Sequence, residues 1–278
     1  MASGPFPDPP WDRAEEAYQA RRAQIAAISG TRAAGPPPTV EYTEQEDLLW
    51  RRVCGQLSAL HRQVAAREYL EAAGELAVPQ DHVPQLRDVS ERLTARSGFA
   101  FGAASELVPF RAFCSGLAGR RFLSTQYLRN PASPFYSPDP DMLHDVIGHG
   151  NALADKRFAR LYELAGKAAS RMRTEEGLQA VASVFWFTLE CGLLREDGEP
   201  KAYGATIVSS VGEASHYRDA HILPLDLTAM VTAEYDISTY QPALFEARSL
   251  GHLEDVVGAF WETCDDETVS HLIGAPGR

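Results

Sequence analysis

Apolar residues recur every three to four positions through most of this chain, a spacing that predicts helices far more often than strands. A short Ala/Arg/Glu-rich segment, about residues 11–28, sits between proline-rich ends as a peripheral helix, and Gly35-Pro-Pro-Pro38 reads as an extended linker. From Val40 onward the pattern is that of one compact domain. Thr43-Glu-Gln-Glu46 has the form of a capping box, opening a helix that runs to about residue 73. Val83-Pro-Gln-Leu86 leads into a further helix with apolar positions at Val89, Leu93 and Ala95. Residues 99–107 contain a short extended stretch, and residues 110–127 mix helix and turn. Pro138-Asp-Pro-Asp141 predicts a turn whose last residue can cap the next helix. Helices are expected over about 156–173 and 175–194, with Glu196-Asp-Gly-Glu199 as a hairpin-like turn. A strand is expected over 201–208, β-like stretches over 229–235 and 238–244, and a last helix over 252–263. There is no internal repeat, and the closing residues offer no heptad for a coiled-coil tail. The expected fold class is mainly α with a few short β-strands.

One position breaks the apolar pattern. The run Val181-Ala-Ser-Val-Phe-Trp-Phe-Thr-Leu-Glu190-Cys-Gly-Leu-Leu194 is apolar almost all round, as a buried helix would be. An ionised carboxylate there is costly unless paired or bound to metal, and the run contains no Lys or Arg. Glu190 is therefore a metal ligand, the partner of a distant Arg, or a protonated acid. Upstream, His144 and His149 stand five apart in Pro138-Asp-Pro-Asp-Met-Leu-His144-Asp-Val-Ile-Gly-His149. Two imidazoles and one carboxylate are the protein ligands of a mononuclear non-haem iron site, which leaves one face of the metal open. On a regular helix a spacing of five sets the side chains roughly 140° apart, so sharing a metal needs a bend or a helix end. Gly148 eases a bend or a close approach. Ordinary surface or core histidines remain the alternative reading. The spacing departs from the His-Glu-x-x-His of zinc peptidases, which leaves a zinc hydrolase as a runner-up.

Composition narrows the function classes. The 278 residues hold one large domain or two small ones, and 45% hydrophobic content supports a sizeable core. A net charge of -12 argues against a nucleic-acid partner. No apolar stretch approaches the roughly 20 residues of a membrane span, and the start lacks a signal-peptide pattern, so a cytoplasmic location is expected. Cys54, Cys114, Cys191 and Cys264 form no Cys-x-x-Cys pair and suggest neither a disulfide framework nor a zinc knuckle.

With these residues in view, the chain resembles the pterin-dependent aromatic amino acid hydroxylases over about residues 40–263. The blocks Val40-Glu-Tyr-Thr-Glu-Gln-Glu, Val83-Pro-Gln-Leu-Arg-Asp-Val-Ser, Phe113-Cys-Ser-Gly-Leu-Ala, Ser124-Thr-Gln-Tyr-Leu-Arg, Pro138-Asp-Pro-Asp and Lys201-Ala-Tyr-Gly-Ala recur in order. The resemblance implies Fe(II), O2 and a tetrahydropterin co-substrate (tetrahydrobiopterin or a relative), in a mostly helical basket. It implies an extension or linker over 1–39 and a catalytic domain over 40–278. It also implies His144, His149 and Glu190 as iron ligands, Phe113 stacked on the pterin, and Leu107 and Val108 along it. Arg129 matches the guanidinium that grips the substrate carboxylate, a role suited to a planar fork. Ser137, Trp186 and Ser209 match residues of the amino acid pocket, Ser209 also orienting His144. Glu213 matches a further position near that pocket.

The departures carry expectations of their own. The family's usual Glu after the first iron histidine is Asp145 here. Its Val-Pro-Leu after the second is Gly150-Asn151-Ala152, and a histidine near the pterin is Leu123. These changes bear on how the pterin is held. The usual aromatic after the iron glutamate is Cys191, and the usual Gly after Lys201-Ala-Tyr-Gly-Ala205 is Thr206. The Cys191/Thr206 pair is similar to the branch that hydroxylates L-phenylalanine to L-meta-tyrosine for peptidyl-nucleoside antibiotics. Para-hydroxylation of phenylalanine and hydroxylation of tryptophan are the alternatives within the family. The animal members' regulatory domain and tetramer helix have no counterpart in this sequence, so a monomer is expected.

Overall fold

Thr43 accepts a hydrogen bond from Glu46 N while Glu46 reaches back to Thr43 N, so the predicted capping box is formed. It opens the helix that starts the body of the molecule. The computed structural model describes residues 10–30, 35–135, 137, 139–236 and 239–274. In chain order the described elements are α1 (Pro10–Gly30), α2 (Glu44–Val64), α3 (Arg67–Leu76), α4 (Leu86–Ser97), β1 (Ala100–Ala103), α5 (Phe110–Ala118) and β2 (Arg121–Ser124). A π-helical segment, π1 (His144–Gly150), runs into α6 (Asn151–Leu153), followed by α7 (Lys156–Arg171) and α8 (Glu175–Phe185). The last of these continues as π2 (Trp186–Glu190). Then come β3 (Leu193–Glu196), β4 (Glu199–Ala202), α9 (Ala205–Val208), α10 (Val211–His216) with a 3-10 turn after it (Tyr217–Asp219), β5 (His221–Pro224), α11 (Leu227–Thr232) and β6 (Ala243–Ala247). The described part ends with α12 (Leu250–Leu253), π3 (Glu254–Gly258), α13 (Ala259–Thr263) and α14 (Asp266–Gly274).

The fold is mainly helical with a few short strands, as expected. β1 and β2 pair in parallel, Ala100 opposite Arg121. The other sheet has the order β4-β3-β6-β5, with an antiparallel β3–β4 hairpin and parallel pairs elsewhere. Asp197 and Gly198, both at positive φ, make the tight turn of that hairpin. One core runs through the body. The face of α2 that carries Trp50, Val53, Leu57 and Val64 packs into it, as does the face of α7 that carries Phe158, Leu161, Tyr162 and Ala165.

Five expected elements take a different form. The helix from Thr43 stops at Val64, because Ala65 pairs with Ala202 and Ala66 N donates to Ala202 O at 2.8 Å, after which α3 begins afresh. The helix carrying Glu190 ends on that residue rather than at 194, because Leu193 and Leu194 are drawn into the sheet beside β4 and β6. Only Lys201 and Ala202 of the expected 201–208 strand are extended, and residues 205–208 form α9. The stretch 229–235 is largely helical, because Asp226 caps α11 through Ala229 N at 2.8 Å. Of 238–244, only the end enters a strand, β6, and Ser238 lies outside the described residues. Strands β2 and β5 and helix α14 were not anticipated.

Candidate active site

The spacing of five between His144 and His149 is resolved by the local helix type. π1 closes on i→i+5 hydrogen bonds, so residues five apart share a face. The widened turn packs closely against α9. A Cβ on Gly148 would lie 2.8 Å from Ala205 O, so only glycine admits this contact. The His144 and His149 Nε2 atoms are 3.1 Å apart. Glu190, the last residue of π2, places Oε1 3.2 Å from His149 Nε2 and Oε2 3.5 Å from His144 Nε2. Three donors with bonds of about 2.1 Å at right angles to one another would stand about 3 Å apart. The triad therefore fits one metal ion bound on one face, and it is the cluster of metal-ligating side chains found among the described residues.

The groups around the triad hold it in that form. His144 Nδ1 lies 2.9 Å from Ser209 Oγ, and His149 Nδ1 lies 2.7 Å from Tyr162 Oη. With both Nε2 lone pairs turned to the centre, each Nδ1–H donates to its hydroxyl, fixing ring and tautomer. Thr206 Oγ1 donates to Glu190 Oε2 at 2.9 Å. Burial alone would raise the Glu190 carboxyl. A proton held on the metal-free imidazole pair, chiefly on His149, together with the Thr206 hydroxyl, outweighs it and brings the pKa to about 2; a bound cation would take that proton's place. Burial pulls His144 down to about 4 against the attraction of Glu190, so it stands as a neutral imidazole.

Two cavities meet at the triad. The smaller, about 100 Å³, is lined mostly by polar residues, among them Arg129, Ser137, Asp139, Thr206, Ser209 and Glu213, and is called the polar chamber below. The larger, about 330 Å³, is apolar, and its walls include Leu107, Val108, Phe113, Phe122, Leu123 and Phe185. His144, Trp186 and Glu190 belong to both.

In the polar chamber Arg129 is buried, not a surface ion pair. Its Nε and Nη2 bind Asp141 at 3.1 and 2.8 Å, and its Nη1 donates to Ser209 O at 3.3 Å. Of five guanidinium donors, that leaves one hydrogen on each Nη. Asp141 also accepts from His144 N at 2.9 Å, the cap expected from the sequence, and from Arg129 N at 2.6 Å. Burial would raise Asp141, but the Arg129 charge and these hydrogen bonds hold it below the usual carboxylate range. Pro138, in the turn before it, lies outside the described residues. Ser137 Oγ donates to Asp139 O at 2.7 Å. Glu213 is buried, and burial pushes its carboxyl up to about 7 against the pull of His216.

In the apolar chamber Phe113 meets Phe122 and Phe185 edge-on, with ring centroids 5.1 and 6.0 Å away. Leu107 is half exposed on the rim and Val108 stands beside it, neither being core. Asp145 is buried on the metal side of this chamber, and burial raises its carboxyl to about 7. Cys191 lines neither chamber. It is buried behind Glu190 against Thr206, so any effect on a ligand passes through its neighbours. Sequence reasoning missed Tyr162, the Arg129–Asp141 pair, the Thr206 bond to Glu190, and Tyr235, which stacks on Trp186 at 5.2 Å. A tyrosine on the buried face of an amphipathic helix such as α7 carries no signal of such a role.

Residues 9–269 match the family described as biopterin-dependent aromatic amino acid hydroxylase. The chain belongs to that family. It is 60% identical over 265 residues to phenylalanine 3-hydroxylase of Streptomyces coeruleorubidus, covering 95% of each chain. It is 38% identical over 253 residues to tyrosine 3-monooxygenase of Bos taurus, and spans about half (51%) of that longer protein. Phenylalanine hydroxylase of Chromobacterium violaceum bound to cobalt superposes with a TM-score of 0.82 at 27% identity over 92% of each chain. A structure of the same enzyme with iron(III) and 7,8-dihydrobiopterin gives 0.79 at 29% identity, covering 87% of this chain and 89% of that one. Membership of this family sets aside the zinc-hydrolase alternative. An iron- and biopterin-dependent hydroxylase needs one metal ion with two ligand spaces beside it, and the triad and its two chambers fit that need. Among the described residues, no helix is long and apolar enough to cross a membrane.

Proposed function

We propose that this chain is an L-phenylalanine 3-monooxygenase that forms L-meta-tyrosine with O2 and a tetrahydropterin. The observation that carries the reading is the meeting of a polar and an apolar chamber at one His/His/Glu face, in a chain 60% identical to a phenylalanine 3-hydroxylase. His144, His149 and Glu190 would hold Fe(II). When bound, the iron and the tetrahydropterin together activate dioxygen.

The protein's own part is binding and orientation. The two free Nη hydrogens of Arg129 form a fork for the amino acid carboxylate, held by Asp141 before substrate arrives. Ser137 and Ser209 border that end of the polar chamber, and Trp186 forms the wall it shares with the apolar one. Phe113 offers its ring as a platform for a flat heterocycle, with Leu107 and Val108 at the edge and Asp145 set to accept from ring N–H groups. Thr206 ties down Glu190 and narrows the polar chamber where the family usually has glycine, with Cys191 packed beneath it. A shift of the aromatic ring by one bonded carbon separates meta from para attack, and displacements of about 1 Å alter such outcomes strongly. The catalytic domain is assigned to 40–278. The protein acts as a cytoplasmic monomer without nucleic-acid or membrane partners, in secondary metabolism that consumes meta-tyrosine; size-exclusion chromatography with light scattering reads the oligomeric state.

The test is incubation with ferrous iron, a tetrahydropterin, oxygen and L-phenylalanine, with chromatographic separation of the tyrosine isomers. Mainly meta-tyrosine is expected from the wild type. The Cys191→Phe/Thr206→Gly variant should move product toward para-tyrosine. An unchanged isomer ratio removes the Cys191/Thr206 explanation, and mainly para-tyrosine from the wild type refutes the assigned regiochemistry.

A further inference from the structure

Helix α1 lies in the segment that reads from sequence as a peripheral extension, yet one of its faces is bound to the chain that carries Arg129. Glu15, Arg22 and Ser29 are seven residues apart, two helical turns each, and so share a face. Asn130 Nδ2 donates to Glu15 Oε2 at 2.7 Å, and Gln126 Nε2 donates to Ser29 Oγ at 3.0 Å in a buried contact. Between them, Arg22 Nη2 donates to Tyr127 Oη at 2.9 Å and Nη1 to Asp139 Oδ2 at 3.1 Å, with its guanidinium carbon 4.3 Å from the Tyr127 ring centre. Ile25, on the same side, is fully buried in a small cluster with Val40 and Tyr127.

The two partners of Arg22 are placed symmetrically about the polar chamber's ion pair. Tyr127 precedes Arg129 by two residues, and Asp139 precedes Asp141 by two. Asp139 itself lines the polar chamber and its carbonyl accepts from Ser137. A single guanidinium thus bridges the two chain segments that present the carboxylate fork and its buried counterion. None of the residues lining the apolar chamber comes from α1.

We infer that α1 is a clamp on the amino acid chamber, and that Arg22 is a positioning residue for the substrate carboxylate. This rests on the placing of phenylalanine in the polar chamber proposed above. Removing Arg22 loosens the segments at 127 and 139, and with them Arg129 and Asp141; it removes no ligand of the triad and no residue lining the apolar chamber, so the loss falls mainly on amino acid binding. Lysine supplies one charge for Asp139 but no second arm for Tyr127, and recovers only part of it.

The test uses the full-length iron-loaded protein and the variants Arg22→Ala, Arg22→Lys, Asp139→Asn and Arg22→Ala/Asp139→Asn. For Arg22→Ala the KM for L-phenylalanine is expected to rise about fivefold, the scale of a half-exposed ion pair plus a ring contact, with kcat and the pterin KM unchanged. Arg22→Lys should fall between it and the wild type. The double variant should lose less than the sum of the two single losses, and strict additivity would mean that Arg22 does not act through Asp139. An unchanged phenylalanine KM overturns the inference. So does a parallel drift of both KM values, kcat and thermal midpoint, which would mark a merely structural contact. Calorimetric titration of the anaerobic iron-loaded protein with L-phenylalanine separates this from the proposed reaction. If the wild type binds phenylalanine without hydroxylating it, the reaction is refuted and the clamp is read from the Kd values. If it binds none, both are refuted.

Discussion

The polar and apolar chambers share four side chains, Pro140, His144, Trp186 and Glu190, and differ in almost everything else. Around the polar chamber, polar groups are committed to one another: Asp141 holds Arg129, Ser209 holds His144, and Thr206 holds Glu190. Such a space selects by charge and direction, because a ligand that fails to match leaves buried polar groups unpaired. The apolar chamber is about three times larger and is walled by rings in edge contact. It selects by shape and flatness, and tolerates more variation. The contrast teaches that one metal face serves two recognition problems, and that damage to one chamber should spare the other.

The largest expected effect removes what the chambers share. Glu190→Gln replaces the one anionic ligand, and iron content together with turnover should fall by roughly a thousandfold or more, read by metal analysis and product formation. Iron retained at wild-type level would break the ligand assignment. Next comes Arg129→Lys, which keeps the charge but loses the fork and leaves Asp141 partly unpaired. The KM for L-phenylalanine should rise on the order of a hundredfold with the pterin KM unchanged. The mirror experiment is Phe113→Ala, with an expected rise of about tenfold in the pterin KM and none in that for phenylalanine. Steady-state kinetics with each ligand varied separately checks both, and equal effects on both ligands would erase the distinction.

The smallest effect concerns Glu213. Its carboxyl is raised to about 7 by burial. A folded-state value above the unfolded one means that stability is full below about 4.5 and is lost as pH rises through about 7. In Glu213→Gln the thermal midpoint should exceed that of the wild type at pH 8, by on the order of 3 °C, and converge with it near pH 5. Calorimetry at the two pH values measures this, and a pH-independent difference would show that Glu213 is ionised throughout.

The candidate ligands stood out in the sequence because their chemistry is costly anywhere else: a lone acid in an apolar run, and two imidazoles after a capping Asp141; the structure brings these three into one cluster. The geometry that unites them was not. Periodicity assumes 3.6 residues per turn, and the π-helical turns at His144–Gly150 and Trp186–Glu190 break that assumption where the ligands sit. The capping box at Thr43 and the Asp197-Gly198 turn were readable because they are local. Strands of four residues such as Arg121–Ser124 and His221–Pro224 were missed because their partners, Ala100–Ala103 and Ala243–Ala247, are distant in sequence or carry no alternating pattern. Arg129 was picked out as a candidate carboxylate binder through resemblance, but its bond to Asp141 and the contacts from α1 are tertiary facts.

The most direct measurement is a crystal structure of the Fe(II) protein, prepared under nitrogen, with a reduced tetrahydropterin and L-phenylalanine both bound. The amino acid carboxylate should lie on the Nη atoms of Arg129 in the polar chamber, with the pterin against Phe113 in the apolar one and a meta carbon nearest the metal. A carboxylate away from Arg129, or both ligands in the same chamber, would contradict the division of labour between the two.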